Sequence, residues 1–216
     1  MAVRDLGGPV TVINHFEVKG DVEEFERLFR DHSQFLRRRD DFDFLVTTRL
    51  AERPQVYVHL GHWRTLRAFL DTVHDATFLR HVRRLEPLVV AEVDQAVSVG
   101  RMLRDDAMVG EETVLLVHAE VHGDWGRFED DFGELCTLMD ELGGFGGSDL
   151  LRSTISPFAY TGMLWWRDAE ACDRALASQA YDRAYRSLVA TARVAVDRAL
   201  HVAYERTIGR TDGPGG

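Results

Sequence analysis

The sequence predicts an α+β protein built from two copies of one small domain, each reading β-α-β-β-α-α-β. Three observations carry this prediction. First, one offset maps the chain onto itself: Trp63-Arg64 falls on Trp166-Arg167 (166 − 63 = 103). Without a gap it also carries Phe25, Phe29, Phe42 and Tyr57 onto Phe128, Phe132, Phe145 and Tyr160, and His15, Arg49 and Arg83 onto His118, Arg152 and Arg186. Second, short β-branched segments alternate apolar and polar residues, the period of a half-buried strand. Third, the segments between them place apolar residues at i, i+3, i+4 and i+7, one face of a helix. A repeat of this length lies beyond the range of roughly 20–50 residues expected of solenoids.

In order, Val10–Val18 (VTVINHFEV) alternates as a strand that Gly20-Asp21 ends. Asp21 is placed to cap the following helix, with Glu23 and Glu24 in its first turn opposing the positive end of the helix dipole. Phe25, Leu28, Phe29, His32, Phe35 and Leu36 form that helix's apolar stripe, to about Arg38. Residues 44–50 and 55–62 read as strands around the turn Glu52-Arg53-Pro54, residues 65–73 and 76–85 as helices, and 91–99 as the fourth strand, with Pro87 stopping the last helix. The second copy opens with a strand at 114–121 and a helix at 125–141. Strands at 149–154 and 158–166, helices near 169–177 and 180–190, and a strand at 199–206 follow. The run Gly143-Gly144-Phe145-Gly146-Gly147 predicts a looser turn than its counterpart, because glycine loses the most conformational freedom on ordering. The domain expectation is therefore 1–100, a polar linker 101–112, 113–208, and a frayed tail 209–216. A four-stranded sheet with helices on one face leaves its other face apolar. Two such units can bury those faces together, closing a barrel within one chain.

Composition narrows the function. A chain of 216 residues with 45% hydrophobic and 10% aromatic content can bury a substantial core. The net charge of −10 argues against a nucleic-acid partner, and the basic run Arg37-Arg38-Arg39 is cancelled by Asp40 and Asp41. The two cysteines, Cys136 and Cys172, fit neither a metal spacing nor a disulfide framework, which predicts a reducing cytoplasm. No apolar run reaches membrane-spanning length, and residues 1–9 lack the apolar core of a signal peptide. The expectation is a soluble, cytoplasmic protein with no membrane partner.

Alternation places Tyr57, His59, Gly61 and Trp63 on one side of the third strand, and Val10, Val12, Asn14 and Phe16 on one side of the first. At the repeat offset, Asn14 becomes Val117 and His59 becomes Gly162. The first copy thus carries polar groups where the second has none, which predicts one chemically equipped half. His59 is the candidate base, since imidazole titrates near 6.5. Asn14 and Arg83 are candidate oxyanion partners. Trp63, Tyr57, Phe16 and Phe69 are candidates for stacking on flat rings, with His62 and His74 as further substrate contacts. Plainer readings stand beside these: Trp63 as core packing, Arg83 as a salt-bridge former, His59 as a hydrogen-bonded core histidine, and His62, His74 and His81 as surface residues. His15 and His118 share a register on the face opposite Asn14, which points to a structural role. His59 and His62 point to opposite faces of one strand and make a poor metal site; no metal ligand is expected.

The stretches VTVINHFEV, VYVHLGHWRTLRAF and LWWRDAEAC, set in this element order, resemble the antibiotic biosynthesis monooxygenase superfamily of ferredoxin-like, dimeric α+β barrels. The resemblance covers about nine-tenths of the chain as two tandem copies, 10–99 and 114–206. In its quinone-forming members an Asn, a Trp and an Arg line the pocket. Trp63 and Arg83 match that pattern, while the Asn position, 63 − 4 = 59, holds His59, a departure. Asn14 resembles the first-strand Asn of haem-degrading relatives, but the position of their haem-ligating His is Val82, with His81 one residue short, so haem ligation is disfavoured.

The resemblance implies a tailoring oxygenase of aromatic polyketide biosynthesis. It would insert oxygen from O2 into a polycyclic phenol or quinone without metal or haem. Tandem members of this length resemble the angucycline ring-opening oxygenases, which implies oxidative C–C cleavage with reduced flavin (FADH2 or FMNH2) as a diffusible co-substrate and a flavin reductase as partner. The glycine run 143–147 does not follow a strand and open a helix as a dinucleotide-binding fingerprint does, so flavin would diffuse in. Two alternatives remain: a cofactor-free anthrone-to-quinone monooxygenase, and a non-catalytic or cyclase-like polyketide-binding protein. The oligomeric expectation is a monomeric pseudo-dimer or a homodimer.

Overall fold

Each copy in the computed structural model begins with a strand and ends with one, and the described residues are 5–106 and 109–202. The first copy comprises β1 (Val10–Val18), α1 (Val22–Arg37), β2 (Phe42–Leu50), β3 (Val56–Trp63), α2 (Leu66–Val73), α3 (Ala76–Leu85), a 3-10 turn at Glu86–Leu88 and β4 (Val89–Leu103). The second comprises β5 (Val114–Val121), α4 (Trp125–Glu141), β6 (Phe145–Ser153), β7 (Ala159–Trp166), α5 (Ala169–Leu176), α6 (Gln179–Thr191) and β8 (Ala192–Val202). This is the predicted β-α-β-β-α-α-β order, twice. Among the described residues no helix is long and apolar enough to cross a membrane.

The repeat extends to the local devices that start each helix. Asp21, Thr65 and Asp75 cap α1, α2 and α3 through their side chains; Asp124, Asp168 and Ser178 cap α4, α5 and α6. Each pair is separated by the same offset (124 − 21 = 168 − 65 = 178 − 75 = 103). A side-chain oxygen on an orphan amide contributes roughly 0.5–2 kcal/mol, so both copies keep the same start signals at the same places. The Tyr57 hydroxyl donates to Glu26 at 2.8 Å and the Tyr160 hydroxyl to Glu129 at 2.8 Å, tying the third strand of each copy to its first helix. An edge-on Phe–Trp pair closes each hairpin: Phe42–Trp63 at 4.9 Å and Phe145–Trp166 at 5.4 Å.

The chain divides into two compact units. The first holds the residues up to Thr47 and Gln55–Val93; the second holds Thr48–Pro54 and Asp94–Val202. In the first, β3 lies between β1 and β2, with Asn14 directly opposite His59 in the antiparallel β1–β3 register. In the second the order is β8-β5-β7-β6. β5 pairs with β7 on one side and β8 on the other, and the far part of β4 runs along β6 from Ala96↔Ser153 to Leu103↔Gly147.

Three boundaries depart from the sequence expectation. β4 continues to Leu103, so residues 101–103 of the anticipated linker are strand, held by pairing to β6. β8 begins at Ala192, directly after α6, because no Gly or Pro separates them and Ala192 is already extended. The glycine run is ordered strand from Phe145 onward: a Cβ on Gly146 or Gly147 would lie 2.5 Å from the Trp165 ring, so these residues form the flat bed on which that indole rests. The expected tail 209–216 and strand end 203–206 lie outside the described residues.

Candidate functional site

The first unit contains a cavity of about 520 Å³ between its sheet and its three helices. Period-two alternation brings Val12, Asn14 and Phe16 of β1, His59, Gly61 and Trp63 of β3, and Val89, Ala91 and Val93 of β4 to the sheet wall. The helical stripe of α1 supplies Phe29, His32 and Leu36; α2 supplies Phe69 and Val73; α3 supplies Phe78, Val82 and Leu85. The lining is mostly hydrocarbon and aromatic, with Asn14, His32, His59 and the Trp63 indole N–H as interior polar groups and Glu86 exposed at the edge. Val82 and Val93, 40% and 56% exposed, make the approach apolar. Volume and composition both fall within the range of small-molecule sites, about 300–1,000 Å³ and chiefly apolar.

His59 is held rigidly. Its Nδ1 pairs with the Thr47 hydroxyl at 3.0 Å, and its ring stands edge-on to Phe29 at 4.9 Å. A hydroxyl can accept or donate, so Nε2 can serve as proton acceptor or donor. Gly61 leaves open the space beside that nitrogen: a methyl there would stand 3.6 Å from His59 Nε2 and 3.8 Å from Trp63 Nε1. Two ring nitrogens therefore flank one side-chain-free patch of strand.

Burial changes the protonation expected from the sequence. It pushes the His59 imidazole down to about 3. It also pushes His32 down to about 3, with the nearby His59 and His81 rings adding in the same direction. His81, near the cavity edge, is lowered chiefly by burial and then by Arg84. The resting cavity thus holds neutral imidazoles, not a base poised near neutral pH. An imidazolium forms here only when an anion enters or develops beside it, since a lone buried charge is costly and a paired one much less so.

Of the residues predicted for the site, the structure brings together His59, Asn14, Trp63, Phe16 and Phe69. The other four lie elsewhere. Arg83 is exposed on α3, because one residue along a helix turns about 100° and the inward positions are Phe78, Val82 and Leu85. Tyr57 is wholly buried one step beyond the cavity, packed on Phe25 and bonded to Glu26. His62 points to the opposite face of β3, where its Nδ1 pairs with Thr11 at 2.8 Å and its ring stacks on Phe44. His74 is exposed at the end of α2 and bonds the Leu70 carbonyl. Sequence reasoning missed His32, which sits in the apolar stripe of α1. Its Nδ1 is buried without a hydrogen-bond partner among the described residues.

The sequence matches no protein-family model and no curated protein. Similar folds are found among solved structures. A monooxygenase candidate of Fusobacterium nucleatum aligns with a TM-score of 0.72 at 7% identity, over 91% of this chain and 93% of its own. One from Lactobacillus acidophilus aligns with 0.69 at 12% identity, over 90% and 94%. An anthrone oxidase-like protein aligns with 0.65 at 11% identity, over 90% and 91%. At these identities the likeness is one of fold, and it spans both copies.

Proposed function

We propose that this protein is an oxygenase that uses O2 to convert a polycyclic aromatic phenol, of the anthrone type made in aromatic polyketide biosynthesis, into a quinone within the cavity of its first unit. The observation that carries this reading is the cavity: large enough for one flat guest of three or four rings, walled by aromatic side chains, and polar at only a few positions. The monooxygenase and anthrone oxidase-like names borne by proteins of similar fold support it.

The geometry supports the following residue roles. Phe16, Phe29, Phe69 and Phe78 offer ring faces and edges to the guest. His59 Nε2 takes a proton as the guest becomes an enolate, and the attraction between the two new charges, strong in surroundings of low polarity, offsets part of the cost of burying them. Asn14, opposite His59 across β1–β3, and the Trp63 N–H donate to the oxygen that arrives on the methylene carbon as it gains negative charge. An enolate of this kind gives electrons to O2 directly. The methylene carbon gains one oxygen atom as C=O, the second leaves as water with both methylene hydrogens, and the four electrons come from the substrate.

Reduced flavin fits the residues less well. Among the described residues the lining includes no Lys or Arg to meet a flavin phosphate, and the carboxylate at the edge, Glu86, would repel one. No step is therefore routed through it, and ring cleavage is not part of the proposal. The test is oxygen uptake with 1,8-dihydroxy-9-anthrone, with and without reduced FMN, followed by the quinone absorbance. Uptake independent of flavin, with one quinone per O2, is the expected result. Uptake only with flavin points instead to the flavin-linked ring-opening chemistry. Guest binding without uptake makes this a polyketide-binding protein.

A further inference from the structure

His32 lies on the helix wall of the cavity, across from the sheet that carries His59. It is 8% exposed and its Nδ1 has no hydrogen-bond partner among the described residues. An imidazole nitrogen left unpaired inside a protein lowers stability, so the residue calls for a reason beyond packing. The repeat sharpens the point. The equivalent residue of the second copy is Leu135 (135 − 32 = 103), which occupies the same place in the stripe of α4 and is buried in that copy's apolar core. Leucine therefore fits this position in this fold, and the first copy carries histidine where the cavity is.

The rings of His59 and His32 bracket Phe29, at 4.9 and 6.0 Å, so a flat guest lying against that aromatic wall has one imidazole from the sheet and another from the helices. His32 is in turn 5.7 Å from His81 and 5.3 Å from Phe78 on α3, which fixes its ring from the far side. From this placement we infer that His32 is a substrate-contacting residue, hydrogen-bonding the edge of the guest opposite the one that meets His59. A guest with oxygen functions on two opposite edges, as the product quinone has, would then meet both imidazoles at once. In the anthrone reaction, the edge bound by His32 is the ketone edge, where enolate charge gathers while His59 works on the far carbon. The inference rests on the reading that the cavity takes a flat oxygenated guest.

The experiment compares two probes, 1,8-dihydroxyanthraquinone with oxygens on both edges and 1,8-dihydroxyanthracene with oxygens on one, binding to the full chain by fluorescence quenching. His32→Leu should weaken the two-edged probe roughly 2–10-fold, the scale of one lost hydrogen bond, and the one-edged probe by less than about 2-fold, since that guest can turn its oxygens to His59. His32→Gln, which keeps a side-chain N–H, should restore most of the affinity. The Tm of His32→Leu should stay level or rise. Equal weakening of both probes, no weakening of either, or a fall in Tm with affinities unchanged would each overturn the inference while leaving the proposed function standing. Failure of the unmutated protein to bind either probe would overturn both.

Discussion

Residue for residue, the two copies of this domain use the same scaffold for opposite ends. Asn14, His32, His59 and Phe69 line a cavity in the first; at the same offset Val117, Leu135, Gly162 and Cys172 stand in the second. Phe29 stands edge-on to His59, whereas its equivalent Phe132 packs onto the backbone at Gly162, where an added Cβ would lie 2.7 Å from the ring. With glycine in place of histidine, the phenylalanine has room to sit there. Around it Val117, Leu135, Met139, Leu164, Trp166 and Cys172 join one continuous apolar cluster, with Tyr181 packed against it. The Cys172 thiol, pushed up to about 11 chiefly by burial, behaves as a small hydrophobe there. The capping residues, the Tyr–Glu tie and the Phe–Trp closure are common to both copies, and the polar lining is not. What a fold needs to form and what a site needs to work are separable sets of positions here.

The largest expected effect tests that separation through activity. His59→Ala should lower oxygenation of the hydroxyanthrone by roughly 10²–10⁴-fold, the usual contribution of a positioned acid–base group, with the fold intact. Leu135→Ala, at the partner position of His32, should do the reverse. It should cost about 2–5 kcal/mol of stability as a core truncation and leave turnover per folded molecule unchanged. Oxygen-electrode rates together with denaturant titrations separate the two outcomes. If Leu135→Ala lowered turnover of folded protein as much as His59→Ala, the division of labour would fail.

Acid should act through the first copy. His32 and His59 have folded-state values near 3 against 6.5 when free, so the unfolded chain binds protons that the folded one refuses. Their neutral forms cost nothing above pH 6.5, and stability falls as pH drops from about 6.5 toward 3, by about 2 kcal/mol per imidazole at pH 5. The measurement is unfolding by urea at pH 7.5 and 5.0 for the unmutated protein and for the His32→Leu, His59→Ala double variant. The double variant should lose most of the difference. An equal pH dependence in both would show that these imidazoles are not held neutral by burial.

Much of this was legible in the sequence. The repeat offset fixed the element order, and the residues before each helix announced their caps. Strand alternation put Asn14, His59 and Trp63 on one wall, because a period of two leaves no choice once the strand is recognised. Helical residues were harder to place. A one-residue error turns a side chain by about 100°, which is why Arg83 is exposed while Val82 reaches the cavity. His32 was hidden by its own regularity, falling on the apolar stripe between Leu28 and Leu36. The signal that could have found it was the one that singled out Asn14 and His59: a polar residue where the other copy has an apolar one. The glycine run 143–147 misled for a different reason. Its conformational freedom is real, with Gly143 and Gly144 at φ +78° and +80°, but Trp165 resting on Gly146 and Gly147 spends that freedom in packing.

The smallest expected effect divides the copies at two glycines of the third strands. Gly162→Ala in the second copy must displace Phe132, whose ring atoms lie 2.7 and 2.9 Å from the new methyl, and Val117 at 3.2 Å leaves no slack behind it. Overpacking of this kind costs about 1–3 kcal/mol. Gly61→Ala in the first copy meets nothing nearer than Phe42 at 3.5 Å, His59 Nε2 at 3.6 Å and Trp63 Nε1 at 3.8 Å, all ordinary contacts, so stability should change by less than about 1 kcal/mol. The methyl would nonetheless occupy the patch between the two ring nitrogens where the reacting methylene edge of the guest is expected to sit. Gly61→Ala should therefore raise KM for the hydroxyanthrone at nearly unchanged Tm, while Gly162→Ala lowers Tm at unchanged KM. Crossed results, with Gly61→Ala destabilising and catalytically silent, would mean that this strand face is packing in both copies and that the working space lies elsewhere in the cavity.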